Sequence, residues 1–161
     1  MARILVVDDE QPILDTVQKI LTLEGYDVQC AHNGAEALHV LQEGEFQVML
    51  SDIRMTPVDG MHLLARAHKE RPHLAVILLT AYASLDTATE SLQDDIFDYL
   101  LKPVRVGELL DTVAKAVEYN RLLLSGGDRE KAKADLGRGK SLKEFLRSKE
   151  EKFSDNVPKF L

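Results

Sequence analysis

Short runs of consecutive apolar residues alternate along the chain with longer segments in which apolar side chains recur every three or four positions. The first run lies within Arg3 to Asp8 and ends in acidic residues, which indicates a strand buried on both faces. From Pro12 to Leu23 the apolar positions follow helical spacing, and Gly25 is a typical terminator. The alternation continues with predicted strands at Asp27–Ala31, Gln47–Ser51, Leu74–Leu79 and Tyr99–Leu101, and predicted helices at Ala35–Glu43, Met61–Glu70, Leu85–Gln93 and Val106–Leu124.

Five strands that are each followed by a helix are typical of an α/β domain. This alternation favours a parallel sheet with right-handed crossovers and helices on both faces. The order of the strands cannot be read from the pattern. Ligands of open parallel sheets bind beyond the carboxyl ends of the strands, so the residues at those ends are the first candidates for function.

Residues with reactive side chains follow four of the predicted strands. Asp8–Glu10 close the first strand, Asp52 follows the third, Thr80 follows the fourth and Lys102 follows the fifth. Clustered carboxylates repel one another, and an oxygen-rich site favours Mg²⁺. With the metal bound, one carboxylate can attack a phosphoryl group while the lysine and the threonine stabilise its charged oxygens. These residues therefore predict a phosphoaspartate site.

Other ligand classes fit the composition less well. No Gly-rich loop follows the first strand, and the acids there would repel a nucleotide's phosphates, so a nucleotide cofactor is not expected. Hydrophobic residues make up 45% of the chain and charged residues 29%, as in soluble globular proteins. The single cysteine, Cys30, cannot form an intrachain disulfide, and no apolar run approaches the ~20 residues of a membrane span. We expect a cytoplasmic protein that does not bind membranes.

The charge is distributed unevenly. Residues 1–124 contain 10 Lys or Arg against 20 Asp or Glu, whereas residues 125–161 contain 10 against 7. The change coincides with Ser125–Gly127, a flexible sequence, so we predict one domain over residues 1–124 and a basic, partly helical tail or linker over residues 125–161. The acidic domain is not expected to bind nucleic acid directly, because duplex binding depends on Lys and Arg.

The tail contains two segments of helix-forming composition, Asp128–Leu136 and Leu142–Phe153. In the second segment one face carries an apolar stripe made by Leu142, Phe145, Leu146, Lys149 and Phe153. Such a stripe indicates a helix that binds a partner, whereas the surrounding glycines favour a solvated linker. The sequence leaves both interpretations open, and also whether the segment leads into a further domain.

Four ordered motifs within residues 2–124 resemble the response-regulator receiver (CheY-like) family. They are Ile4–Glu10 (ILVVDDE), Ser51–Gly60 (SDIRMTPVDG), Thr80–Ala83 (TAYA) and Phe97–Pro103 (FDYLLKP). The resemblance implies a doubly wound, flavodoxin-like fold: a five-stranded parallel sheet of order 2-1-3-4-5 with helices on both faces.

The resemblance also implies a role for each matched residue. Asp52 is the implied phosphoacceptor. Asp8 and Asp9 would hold Mg²⁺ together with an Asp52 oxygen and the backbone carbonyl of Arg54. Thr80 and Lys102 would bind the phosphoryl oxygens.

Four further residues are implied in the conformational switch, in the backbone of the site or in the lifetime of the phosphoryl group. Tyr99 resembles the aromatic switch that turns inward when Thr80 moves, and Pro103 would fix the adjacent peptide bond, which is often cis in this family. Arg54 and Tyr82 occupy positions that tune the lifetime of the phosphoryl group. Because both side chains are bulky, we expect slow hydrolysis.

The resemblance implies a signalling function. A histidine kinase or a phosphotransfer protein would pass a phosphoryl group from its phosphohistidine to Asp52. The face made by the predicted helices Leu85–Gln93 and Val106–Leu124 and the fifth strand would then switch, controlling a partner or an output domain. The same face is a candidate homodimer surface. Catalysis would be limited to self-directed phosphotransfer and autodephosphorylation.

Three other functions are compatible with parts of the pattern. A phosphorylation-independent interaction module could use the same fold. A Mg²⁺-dependent phosphatase of the haloacid-dehalogenase type also uses a strand-end Asp, Thr and Lys, but its second Asp lies two residues after the nucleophile, where this chain has Glu10 after Asp8. A flavin-binding module is disfavoured by the acidic first loop. Fold analogy alone does not choose among them.

Overall fold

A computed structural model of the chain describes residues 1–52, 57–80 and 96–136, with the side chains of residues 57–61 excepted. Its strands are β1 (Arg3–Val7), β2 (Asp27–Ala31), β3 (Val48–Asp52), β4 (Ala75–Thr80) and β5 (Asp98–Leu101). Its helices are α1 (Gln11–Leu23), α2 (Gly34–Glu43), α3 (Pro57–Glu70), α4 (Val106–Leu124) and α5 (Arg129–Asp135). The predicted helix at residues 85–93 and the predicted tail helix at residues 142–153 lie outside the described residues.

The five strands form one parallel sheet of order β2-β1-β3-β4-β5, which confirms the expected topology. The three central strands are buried along nearly their whole length. Burial on both faces explains why their sequences are continuously apolar instead of alternating.

Successive residues of each central strand point into two different apolar layers. One layer lies between the sheet and helices α2 and α3, and it includes Leu5, Met49 and Leu78. The other lies between the sheet and helices α1, α4 and α5, and it includes Val6 and Leu50. Each central strand is therefore packed on both faces.

Most helix boundaries match the sequence pattern. Helix α1 ends before Gly25, whose φ of 96° is the left-handed conformation that glycine adopts most readily. Helix α3 is an exception, because it begins at Pro57 and not at the predicted Met61. Pro is tolerated in the first turn of a helix, where its missing N–H has no intrahelical partner. Pro57 and Gly60, two residue types that usually interrupt helices, therefore belong to α3.

The chain turns back after α4. Gly126 has a φ of 90°, and the following helix α5 packs against the layer that contains α1 and α4, with Ala132 only 4% exposed. The guanidinium of Arg129 donates to the carbonyl of Pro72, and Lys133 Nζ donates to the carbonyl of Ile96 at 2.8 Å. Helix α5 therefore lies at the amino edge of the sheet. The domain boundary after Leu124 stays a prediction.

None of the helices in the described part of the chain combines the length and the hydrophobicity that crossing a bilayer requires.

The central sheet should dominate stability. Leu50 is completely buried on the middle strand, whereas Leu124 at the end of α4 is 63% exposed. We expect Leu50→Ala to lower the free energy of unfolding by about 2–5 kcal/mol, because it leaves a cavity in the core. Leu124→Ala, the matched control, should change it by less than about 0.5 kcal/mol. Urea denaturation followed by circular dichroism measures both, and equal losses would contradict the expectation.

Candidate functional site

The candidate site is formed at one edge of the sheet because all strands are parallel. Asp8 directly follows β1, Asp52 is the last residue of β3, Thr80 is the last residue of β4, and Lys102 directly follows β5. The register pairs Asp52 with Leu79 and Thr80 with Leu101, so neighbouring strands end side by side. The amide of Lys102 donates to the carbonyl of Thr80 at 2.8 Å. The backbone hydrogen bonds between β4 and β5 therefore continue into the site.

The ammonium group of Lys102 connects two carboxylates. Its Nζ lies 2.8 Å from Asp52 Oδ2 and 2.9 Å from Asp8 Oδ2. The side chains of Asp8 and Asp52 are 0% and 4% exposed, and that of Lys102 is 21% exposed. Buried charges persist only when they are paired and hydrogen-bonded, so this double ion pair compensates part of the cost of burying the two carboxylates.

Burial changes the protonation behaviour of the site. Loss of hydration raises the pKa of Asp8 above its ordinary value, although hydrogen bonds from the Glu10 amide and from Lys102 oppose the rise. Burial would lower the pKa of Lys102, but its hydrogen bonds to Asp52 and Asp8 raise that pKa above its ordinary value. Lys102 therefore stays charged, while Asp8 takes up a proton more readily than an exposed aspartate.

A third carboxylate belongs to the same cluster. Oxygen atoms of Asp8, Asp9 and Asp52 lie within 4.8 Å of one another, and Asp9 is exposed. Among the described residues, the cluster combines three carboxylates with the ammonium of Lys102, which gives it excess negative charge. Mg²⁺ prefers such hard oxygen ligands and retains several waters, so the donor set fits this ion.

Three further predicted residues, Thr80, Tyr99 and Pro103, lie in the described part of the chain. Thr80 is completely buried at the end of β4. Tyr99 is 4% exposed and packs in the layer that contains α2 and α3, so its ring lies inside the protein. The peptide bond between Lys102 and Pro103 is cis.

The structure thus brings together Asp8, Asp9, Asp52 and Lys102, with Thr80 on the neighbouring strand. Arg54 and Tyr82 lie outside the described residues. The amide of Glu10, which donates to Asp8 Oδ1 at 2.9 Å, was not predicted as part of the site. A backbone amide leaves no signal in the sequence, since every residue except proline has one.

Comparison with known proteins gives a consistent result. The family model for the response regulator receiver domain matches residues 4–114. The transcriptional regulatory protein ZraR of Klebsiella oxytoca is 40% identical over 119 residues, which cover 74% of this chain and 27% of that protein. The chain therefore spans about a quarter of the length of this curated relative.

Solved structures agree with the family model. A response regulator receiver domain protein from Clostridium thermocellum superimposes with a TM-score of 0.70 at 34% identity, covering 76% of this chain and 99% of that one. The response regulator protein TrrA from Thermotoga maritima, solved in complex with Mg(2+)-BeF, superimposes with a TM-score of 0.65 at 33% identity, covering 72% and 99%. Fold, cluster geometry and sequence agree: the chain belongs to the response regulator receiver domain family of two-component signalling proteins.

Proposed function

We propose that this receiver accepts a phosphoryl group on Asp52. The observation that carries the proposal is the contact of Lys102 Nζ with Asp52 Oδ2 at 2.8 Å, inside a cluster of carboxylates at the carboxyl edge of the sheet. An ammonium at this distance neutralises charge on oxygens bound to Asp52. The family match argues against the phosphatase and flavin-binding alternatives.

The transfer step needs a nucleophile and compensation for negative charge. A carboxylate oxygen of Asp52 attacks the phosphorus of a phosphohistidine, the new P–O bond forms as the P–N bond breaks, and the leaving imidazole takes a proton from solvent. Lys102 then pairs with a phosphoryl oxygen in place of part of its contact with Asp52. Thr80, at the end of the adjacent strand, supplies a hydroxyl for another phosphoryl oxygen. The same site performs only self-directed transfer and slow hydrolysis.

Mg²⁺ would be held by Asp8, Asp9 and Asp52, with the backbone carbonyl of Arg54 as the expected further ligand. When bound, the ion neutralises the three carboxylates and the phosphoryl oxygens, which otherwise repel each other. The similar protein TrrA was solved in complex with Mg(2+)-BeF, which supports this assignment. Asp8 also positions the Lys102 ammonium through its 2.9 Å contact.

Phosphorylation would bias an existing equilibrium of the domain. Movement of Thr80 toward the phosphoryl group favours the inward position of Tyr99, which the present structure already contains. We propose that the face bearing β5 and α4 reports this state to a partner, an output domain or a second copy of the chain. Arg54 and Tyr82 would lengthen the lifetime of the phosphoryl group by limiting the access of water.

The family match also supports a proposal for the phosphodonor and for the process that the signal controls. A cytoplasmic histidine kinase or phosphotransfer protein is the proposed phosphodonor. Because ZraR is a transcriptional regulatory protein, we propose that the signal controls transcription through a segment or partner other than residues 1–124, which carry excess negative charge.

Phosphorylation of Asp52 can be tested by intact mass. After treatment with Mg²⁺ and acetyl phosphate, the wild-type chain should gain one phosphoryl group. Asp52→Asn should gain none, because an amide is not a nucleophile of comparable strength. Asp15→Asn, which removes an exposed carboxylate from α1, is the matched control and should be modified like the wild type. An adduct on Asp52→Asn would exclude Asp52 as the acceptor, and no adduct on any form would favour a phosphorylation-independent module.

Binding of Mg²⁺ should weaken as the pH falls. Because burial raises the pKa of Asp8, a proton competes with the metal for this carboxylate at a higher pH than for an exposed aspartate. Calorimetric titration with Mg²⁺ between pH 7.5 and 5 should therefore show a steadily rising dissociation constant. Asp8→Asn should bind weakly at all pH values, and Glu10→Gln, which keeps the Glu10 amide, should behave as the wild type. Affinity that is independent of pH would contradict the assignment of Asp8 as a ligand.

A further inference from the structure

A histidine contacts the end of the loop that carries the acidic residues of the site. Residues 8–10, which we call the acidic loop, connect β1 to Gln11, the first residue of α1. His32 directly follows β2, the strand next to β1 in the sheet. Its ring nitrogen Nε2 lies 2.7 Å from Gln11 Oε1. The imidazole therefore joins the end of β2 to the point where the acidic loop ends.

The direction of this hydrogen bond follows from a neighbouring contact. The amide nitrogen Nε2 of Gln11 donates to Asp15 Oδ1 at 2.7 Å. An ionised carboxylate only accepts, so the NH₂ group of Gln11 must face Asp15, and its carbonyl oxygen faces His32. A carbonyl oxygen also only accepts, so His32 Nε2 carries the hydrogen and donates it to Gln11.

The opposite side of the ring is held by α2. His32 Nδ1 lies 3.3 and 3.4 Å from the two carboxylate oxygens of Glu36. Glu36 Oε2 also accepts from the backbone amide of His32 at 3.3 Å. The position of Glu36 is fixed in turn, because its own amide donates to Asn33 Oδ1 at the start of α2. Contacts at both ring nitrogens restrict the orientation of the imidazole.

Two consecutive residues at the end of β2 thus hold the acidic loop at both of its ends. The amide of Asp8 donates to the carbonyl of Ala31 at 3.1 Å, and the His32 ring donates to Gln11. Helices usually begin with a side chain that bonds to their free amides. Within the described residues, the Glu10 side chain makes no such bond to α1. The His32 contact therefore provides a side-chain attachment at the start of this helix.

We propose that His32 is a positioning residue for the magnesium site. By holding Gln11, the ring fixes the end of the acidic loop and restricts the exposed carboxylate of Asp9, which lies within 4.8 Å of the carboxylates of Asp8 and Asp52. A ligand that is already ordered loses less conformational freedom when the ion binds. Residues behind the ligands influence metal affinity in this way. The inference rests on the proposed binding of Mg²⁺ at this site.

Calorimetric titration of the full chain with Mg²⁺ tests the role. We expect His32→Ala to raise the dissociation constant about three- to tenfold, at or below the usual loss for residues behind metal ligands. The matched control is His39→Ala. His39 is also exposed and pairs with a glutamate four residues later, at 3.2 Å from Glu43, but this partner lies on α2 itself. His39→Ala should leave the affinity unchanged.

Two further variants separate the hydrogen bond from other effects of the substitution. His32→Gln keeps an N–H donor near the position of Nε2 and should restore the wild-type affinity. If the charge of the ring were responsible, glutamine would behave like alanine. Gln11→Ala removes the acceptor and should raise the dissociation constant by the same factor as His32→Ala. Combining the two substitutions should add nothing, because both remove one contact.

Amide hydrogen exchange, followed by NMR without Mg²⁺, reports on the loop itself. The Glu10 amide, which donates to Asp8 Oδ1 at 2.9 Å, should exchange faster in His32→Ala than in the wild type. His32→Gln and His39→Ala should exchange like the wild type. The side chain of His32 is 51% exposed, so none of these variants leaves a cavity in the core.

The outcomes distinguish this inference from the proposed function. A wild-type chain that does not bind Mg²⁺ would refute the metal site and, with it, the positioning role. Wild-type binding together with unchanged affinity in His32→Ala would overturn the positioning role alone. Equal losses of affinity in His32→Ala and His39→Ala would also overturn it, since they would indicate a general effect of removing a histidine from this surface.

Discussion

One ammonium group shared by two buried carboxylates is the constraint on which the structure depends. Lys102 Nζ must lie within 3 Å of both Asp8 and Asp52, although the three residues come from separate strand ends. Without that contact, two neighbouring buried carboxylates would lose the ammonium that neutralises part of their charge. The parallel sheet satisfies the requirement, because β3 pairs with β1 on one side and β5 follows at the end of the sheet with only β4 between. The aliphatic strands thus act as a rigid frame for a small group of charges.

Much of the fold could be predicted from hydrophobic periodicity. Helix α4 has the predicted bounds, Val106–Leu124, because its apolar positions repeat regularly and Gly126 follows two residues after its end. For helix α3 the pattern indicates a start at Met61, four residues after the observed start at Pro57. The proline at the start and the glycine at position 60 obscure the helical spacing there. Strand order needed the family resemblance, because periodicity describes each strand alone and says nothing about which strands are neighbours.

The candidate site could be predicted as far as it depends on side chains. Asp8, Asp52 and Lys102 lie at the carboxyl ends of strands, and parallel strands have these ends at one edge, so the three residues are expected on the same side of the sheet. Contacts with backbone atoms could not be predicted in this way. The Glu10 amide that holds Asp8 and the Pro72 carbonyl that binds Arg129 have no residue-specific signature.

Strand β4 links the two ends of the domain in a single rigid segment. At its carboxyl end it supplies Thr80 to the acidic cluster. Just before its amino end, the carbonyl of His73 accepts a hydrogen bond from Asn120 Nδ2 at 2.7 Å, and the carbonyl of Pro72 accepts one from Arg129. One continuous strand therefore carries a residue of the charged site at one end and lies next to the anchoring points of two helices at the other. The placement of α4 and α5 is thereby tied to the same backbone segment that places Thr80.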